Sequence, residues 1–236
     1  MTRSFMISAN KYIQDINSIK PDLIFVAGWC ELLDDNLVMA SKLGTIGFHP
    51  SKLPNDRGRS VLAWQIEEGY EETALSMFYY NDFPDGGDII AQETIKISYF
   101  DYIDDVLDKI DLATFNLMKA YFPLLRQQKA PRKAQNLNEG NFRRLRTEKD
   151  SLINWSRSSF EIYNKIRSIS KPYPGAISIF NGKKYLIWRS EIINEFRLGR
   201  SEKPGTLIAT LFDGTYIIKT LDSFLRILEY TIEDEK

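Results

Sequence analysis

Three observations predict an α/β sheet domain over residues 1–134 followed by a small β-rich domain over 141–236. Short apolar runs alternate with helical periodicity in the first part, the pattern of strands linked through helices. Beyond residue 141 the strands become short and alternating, and Asn181-Gly182 and Asp213-Gly214 supply tight hairpin turns. Between them, Gln127 to Gly140 is polar, rich in asparagine and contains Pro131, as expected of a linker.

The elements follow in order. Ile13, Ile16 and Ile19 recur at intervals of three, predicting a helix over 10–19. Pro21 to Gly28 is apolar, led by Pro-Asp and closed by glycine, as for a strand buried on both faces of a parallel sheet. Asp34 is the natural cap of a helix over 34–42. Thr45 to Phe48 is the next strand, Pro50 and Pro54 hold an irregular segment, and Val61 to Glu68 reads as a helix. Alternation predicts paired strands over 74–80 and 88–97, joined by Asn81-Asp-Phe-Pro-Asp-Gly-Gly87. A long amphipathic helix spans 102–128, with Val106, Ile110, Ala113, Leu117 and Tyr121 on one side and a solvated acidic face on the other. A helix over 158–169, a rigid turn over 171–175 and strands over 176–180, 184–189, 205–210, 215–220 and 225–230 complete the chain.

Composition narrows the function. Hydrophobic residues make up 43% and charged residues 27%, globular values, and no apolar run approaches the roughly eighteen residues that span a bilayer. The start lacks a secretory pattern and there is one cysteine, Cys30, which together predict a cytoplasmic protein without disulfides. A net charge of −1 gives no general attraction for nucleic acid or acidic membranes, and no Cys/His cluster has the spacing of a metal site.

The single histidine, His49, lies where a strand gives way to a turn rich in Pro, Gly and Arg. Imidazole exchanges protons near neutrality, so it is the first candidate for acid–base work; a structural hydrogen bond to a carbonyl is the plainer reading. Asp85, between Pro84 and Gly86 at a strand end, is the carboxylate placed to orient it, although an aspartate before Gly-Gly also serves turns.

Several motifs carry a resemblance. His49-Pro-Ser-Lys-Leu-Pro, Arg57-Gly-Arg, Trp64 and Asp85-Gly-Gly-Asp-Ile-Ile-Ala-Gln92 resemble the formyltransferase family that uses N10-formyltetrahydrofolate. The likeness extends through Pro21-Asp-Leu-Ile-Phe, Asp150-Ser-Leu-Ile-Asn-Trp155, Lys171-Pro-Tyr-Pro-Gly175 and Gly205-Thr-Leu-Ile208. With Gly28-Trp-Cys-Glu-Leu-Leu33, it is most similar to the sugar-nucleotide N-formyltransferases.

The resemblance implies a Rossmann-like sheet and transfer of a formyl group from the folate to an amine of a nucleotide-linked deoxysugar, with lipopolysaccharide biosynthesis as the setting. His49 would be general base and acid, and Asp85 would orient it. Val26, Ala27, Gly28, Trp29, Leu32 and Leu33, with Asn81, Phe83 and Asp85, match the segments that embrace the folate ring. Arg57 and Arg59 would pair with substrate phosphates or, equally, form structural ion pairs. Dimerisation through the C-terminal unit is implied in the same way.

Two positions depart from the family pattern. An Asn usually stands two residues before the histidine and donates to the formyl oxygen, whereas here the residue is Gly47. A water, a backbone amide or His49 would have to compensate. Family members also carry a strand-helix-strand stretch ahead of the segment that begins here near Asn10, so the sheet is expected to lack its N-terminal strands. The alternatives are methionyl-tRNA formylation, for which residues 141–236 offer 17 Lys and Arg against 12 Asp and Glu, and a folate-binding protein without catalysis.

Overall fold

The computed structural model describes residues 9–29, 33–194, 196 and 198–233. They form two compact units, Met1–Val61 with Thr73–Ile95 and Lys109–Arg144, and Leu62–Glu72 with Lys96–Asp108 and Leu145–Lys236. The second unit thus draws 62–72 and 96–108 from the stretch assigned above to the first.

In the first unit the strands β1 (Ile24–Val26), β2 (Thr45–His49), β4 (Glu72–Tyr79) and β5 (Ile89–Lys96) lie in the order β1-β2-β4-β5. β1 runs parallel to β2, and β4 runs antiparallel to it, setting His49 opposite Ser76 and Gly47 opposite Phe78. β4 is buried from Thr73 to Tyr79 instead of alternating, because it lies inside the sheet. Leu75, Met77 and Tyr79 pack with Ile46, Ile90, Ala113, Leu117 and Leu125. Phe78 joins Leu53 and Ile89 in a second cluster. The last three residues of the former cluster lie on α4 (Ile103–Arg126), the predicted long helix.

Three expectations change. β1 is shorter than Pro21 to Gly28 and half-buried, not buried on both faces, since among the described residues β2 alone pairs with it. Asp34 caps Asn36 N–H as predicted, but the helix α2 (Asp35–Val38) stops early. The amides of Lys42 and Leu43 leave it to bond the carbonyls of Pro21 and Asp22. The polar stretch 127–140 is no free linker: Lys133 bridges Ile89, and Phe142–Arg143 form a strand, β6, parallel to β3 (Arg57–Gly58).

In the second unit five strands, β7 (Ala176–Phe180), β8 (Lys183–Ile193), β9 (Leu207–Thr210), β10 (Tyr216–Lys219) and β11 (Phe224–Glu233), form an antiparallel sheet of order β7-β8-β11-β10-β9. Ile162, Tyr163 and Ile166 of helix α6 (Ser159–Ser168) bury against Ile187, Ile218, Leu225 and Ile227 of that sheet. Ser158 and Glu161 close a capping box at its start. No helix among the described residues is long and apolar enough to cross a membrane.

Candidate active site

Side chains two apart on a strand share a face, so Gly47 and His49 of β2 stand on the same side of the sheet as Ser76, Phe78 and Tyr80 of the adjoining chain. His49 is only 6% exposed. Its Nε2 lies 2.7 Å from the carbonyl oxygen of Asp56. A carbonyl only accepts, so Nε2 carries its hydrogen there and Nδ1 is the atom available for proton exchange. Nδ1 faces Asp85 Oδ1 at 3.6 Å, close enough for charge to matter though longer than an ordinary hydrogen bond. The other oxygen, Asp85 Oδ2, accepts from the Gly58 amide at 2.9 Å.

The two aspartates that bracket the ring both adopt left-handed backbone, with φ of 52° at Asp56 and 53° at Asp85. Such a conformation persists only where neighbours enforce it. Asn141 does so at Asp56: its Oδ1 accepts the Asp56 amide at 2.9 Å and its Nδ2 donates to Asp56 Oδ1 at 2.8 Å. Arg143 Nε donates to the same oxygen at 2.6 Å, forming an ion pair that is almost completely buried on the Asp56 side. Gln135 does the same for the second turn, its Nε2 donating to the carbonyls of Asp85 and Gly87. Gly58 shows how tightly β3 and β6 meet: it has φ 98°, and a Cβ there would fall 2.3 Å from the Arg143 carbonyl oxygen.

The residues singled out from sequence separate in the structure. His49 and Asp85 are brought together. Arg57 does not present itself to a phosphate: it is 1% exposed, and its guanidinium donates to the Glu139 and Asn136 carbonyls and to Gln135 Oε1. The rings of Phe83 and Phe142 flank it. Arg59 is exposed, with its amide bonded to the Arg143 carbonyl. Val26 ends β1 beside Gly47, Ala27, Gly28 and Trp29 are exposed, and Leu33 is half-buried; Leu32 lies outside the described residues. In the other segment, Asn81 Oδ1 accepts the Phe83 amide, and Phe83 packs on Phe142. Among the described residues no group of three or more His, Cys, Asp or Glu could hold a metal.

Sequence reasoning missed Asp56, Gln135, Asn141, Arg143 and Tyr80. The first four act through backbone groups or through one another's side chains and leave no periodic signal. Tyr80 sits where Gly47 leaves room. A Cβ on Gly47 would come within 2.4 Å of Tyr80 Cε2 and 2.8 Å of the Phe78 ring, and the two aromatic rings stack at 5.3 Å. An asparagine at position 47 would therefore collide with them.

Two family models match the chain: "Formyl transferase" over residues 3–120 and "Formyl transferase, C-terminal domain" over 146–236. The bifunctional polymyxin resistance protein ArnA of Wigglesworthia glossinidia brevipalpis is 31% identical over 198 residues, which is 84% of this chain but 30% of that protein. The structure is similar to HypX from Aquifex aeolicus in complex with tetrahydrofolic acid (TM-score 0.77, 19% identity, 92% of this chain and 37% of that one). It is similar also to methionyl-tRNA formyltransferase from Clostridium thermocellum (0.70, 18%, 97% and 86%). A third likeness is to the N-formyltransferase from Helicobacter canadensis in complex with folinic acid and dTDP-3-aminofucose (0.63, 23%, 88% and 73%).

Proposed function

The chain belongs to the formyl transferase family, and from that premise we propose that it transfers a formyl group from N10-formyltetrahydrofolate to the amino group of a nucleotide-linked amino-deoxysugar. The observation that carries this reading is the imidazole whose Nε2 is pinned to the Asp56 carbonyl while Nδ1 faces Asp85. Family relatives supply the substrate classes: one was solved with tetrahydrofolic acid, another with folinic acid and dTDP-3-aminofucose.

The transfer needs one C–N bond formed, one broken and one proton moved from the amine to N10 of the folate. His49 Nδ1 is the atom for that proton: it accepts it as the amine attacks the formyl carbon and returns it as the C–N10 bond breaks. Asp85 stands where its negative charge offsets the positive charge the ring then carries. Val26, paired with Gly47 two residues before His49, and the loop that carries Asp85 belong to the two segments this reading assigns to the folate ring.

The experiment is single-turnover formyl transfer from N10-formyltetrahydrofolate to a panel of amino-deoxysugar nucleotides, with initiator methionyl-tRNA as a parallel acceptor. Formylation of at least one sugar nucleotide is expected. Formylation of the tRNA alone would replace the sugar reading. Folate binding with every acceptor unmodified would leave a binding protein.

A further inference from the structure

Transfer at a formyl carbon builds negative charge on the formyl oxygen, and a site without a donor there forfeits most of its rate. Position 47 shares the face of His49 but has no side chain, and the family histidine-carboxylate pair alone leaves that oxygen unserved. Tyr80 occupies the space. Its amide bonds the Thr45 carbonyl, so its backbone stands opposite residue 45. Its ring edge nevertheless reaches the Cβ position of Gly47, two residues further along β2 in the direction of His49. The ring atom that makes this approach, Cε2, is bonded to the carbon carrying the hydroxyl. Packing against Phe78 holds the ring in that lean.

We propose that Tyr80 is a catalytic residue of this enzyme, its hydroxyl donating a hydrogen bond to the formyl oxygen as the oxyanion develops beside His49. The proposal rests on the formyl-transfer reading. Burial and, second, the charge of Asp85 push the Tyr80 phenol up to about 12, so it keeps its proton over the whole working range and stays a donor. Gly47 and Tyr80 form a complementary pair: the missing side chain on β2 is what admits the ring.

The test uses the full chain, folinic acid as an inert folate probe, and a sugar nucleotide accepted by the unmodified protein. Tyr80→Phe keeps the ring and removes only the hydroxyl. A fall in kcat of about 100- to 1,000-fold, with folinic acid affinity within about twofold of the parent, is the expected result. Unchanged kcat, or a loss confined to KM and folate affinity, overturns the role of Tyr80 while leaving the transfer reading intact. If Tyr80→Phe does not fold, 3,5-difluorotyrosine at position 80 decides. Its more acidic hydroxyl loses its proton as pH rises, so the rate must fall at alkaline pH where that of the parent does not, and superimposable profiles overturn the proposal. An unmodified protein that binds folinic acid but formylates no acceptor removes the transfer reading itself, and the oxyanion with it.

Discussion

Among the described residues each unit buries one arginine, Arg57 at 1% and Arg167 at 3% exposure, and uses it in the same way. Arg57 ties the Glu139 and Asn136 carbonyls between the Phe83 and Phe142 rings. Arg167 ties the Ser98 and Asp101 carbonyls and Asn164 Oδ1 beside the Tyr163 ring. The surroundings differ. The residue after Arg57 gives its amide to Asp85, and the segment that Arg57 holds also supplies Gln135 and Asn141 to the two turns around His49. Arg167 fastens a loop to α6 and touches none of these residues. One guanidinium thus shapes the candidate site and the other only the fold.

The largest effect isolates chemistry from architecture. His49→Ala should lower turnover by about 10²- to 10⁴-fold while the far-ultraviolet circular dichroism spectrum is retained; undiminished turnover would take the imidazole out of the reaction. Next comes the direct contrast. Arg57→Met and Arg167→Met should each destabilise by about 3 kcal/mol in urea melts, since both leave buried carbonyls without donors. At a temperature where both remain folded, Arg57→Met alone should lose activity, by about tenfold or more through displacement of the Asp85 carboxylate. Equal activity in the two variants breaks the contrast. Asn141→Ala sharpens it, because Asn141 bonds Asp56 and not the imidazole, yet its loss releases the strained Asp56 turn. Turnover should fall by about tenfold with a stability loss of about 1–2 kcal/mol.

The smallest effect lies in the second unit. Ser158→Ala should cost about 1 kcal/mol near neutrality and leave activity unchanged. Hydrogen bonds from the Ser158 hydroxyl and amide hold the Glu161 carboxyl below the usual carboxylate range. A depressed folded value means that this contribution is complete above about pH 4.3 and fades as pH falls through the lowered value. The gap between Ser158→Ala and the parent should therefore narrow in acid, as read by thermal melts across pH; a gap that widens would refute the capping role.

Much of the architecture was legible because it rests on local rules. The Ser158 helix, the long helix of 103–126 and the Asn181-Gly182 hairpin follow from capping, periodicity and turn chemistry. The His49 and Asp85 partnership was legible from the strand-end turn that carries Asp85 and from the family resemblance, and the two side chains do meet. What escaped was non-local. Asn141 and Arg143, just past the predicted linker at the start of the predicted second domain, carry no local signal of their bonds to Asp56, 85 and 87 positions away. For Arg57 the resemblance left a phosphate contact and a structural ion pair equally open, and the structure shows a third outcome: the guanidinium is buried and donates to the loop 135–139. The loss of a side chain at Gly47 was visible, but its filling by Tyr80 depends on strand pairing that sequence does not display.

The grip of Asn141 and Arg143 on Asp56 also sets an order of events during synthesis. A chain emerging N-terminus first exposes the histidine long before the two residues that settle its companion turn have left the ribosome. Until then the turn that offers Nε2 its carbonyl lacks the side chains that hold it. The turn beside the imidazole is therefore fixed late, when contacts spanning 85 and 87 positions close.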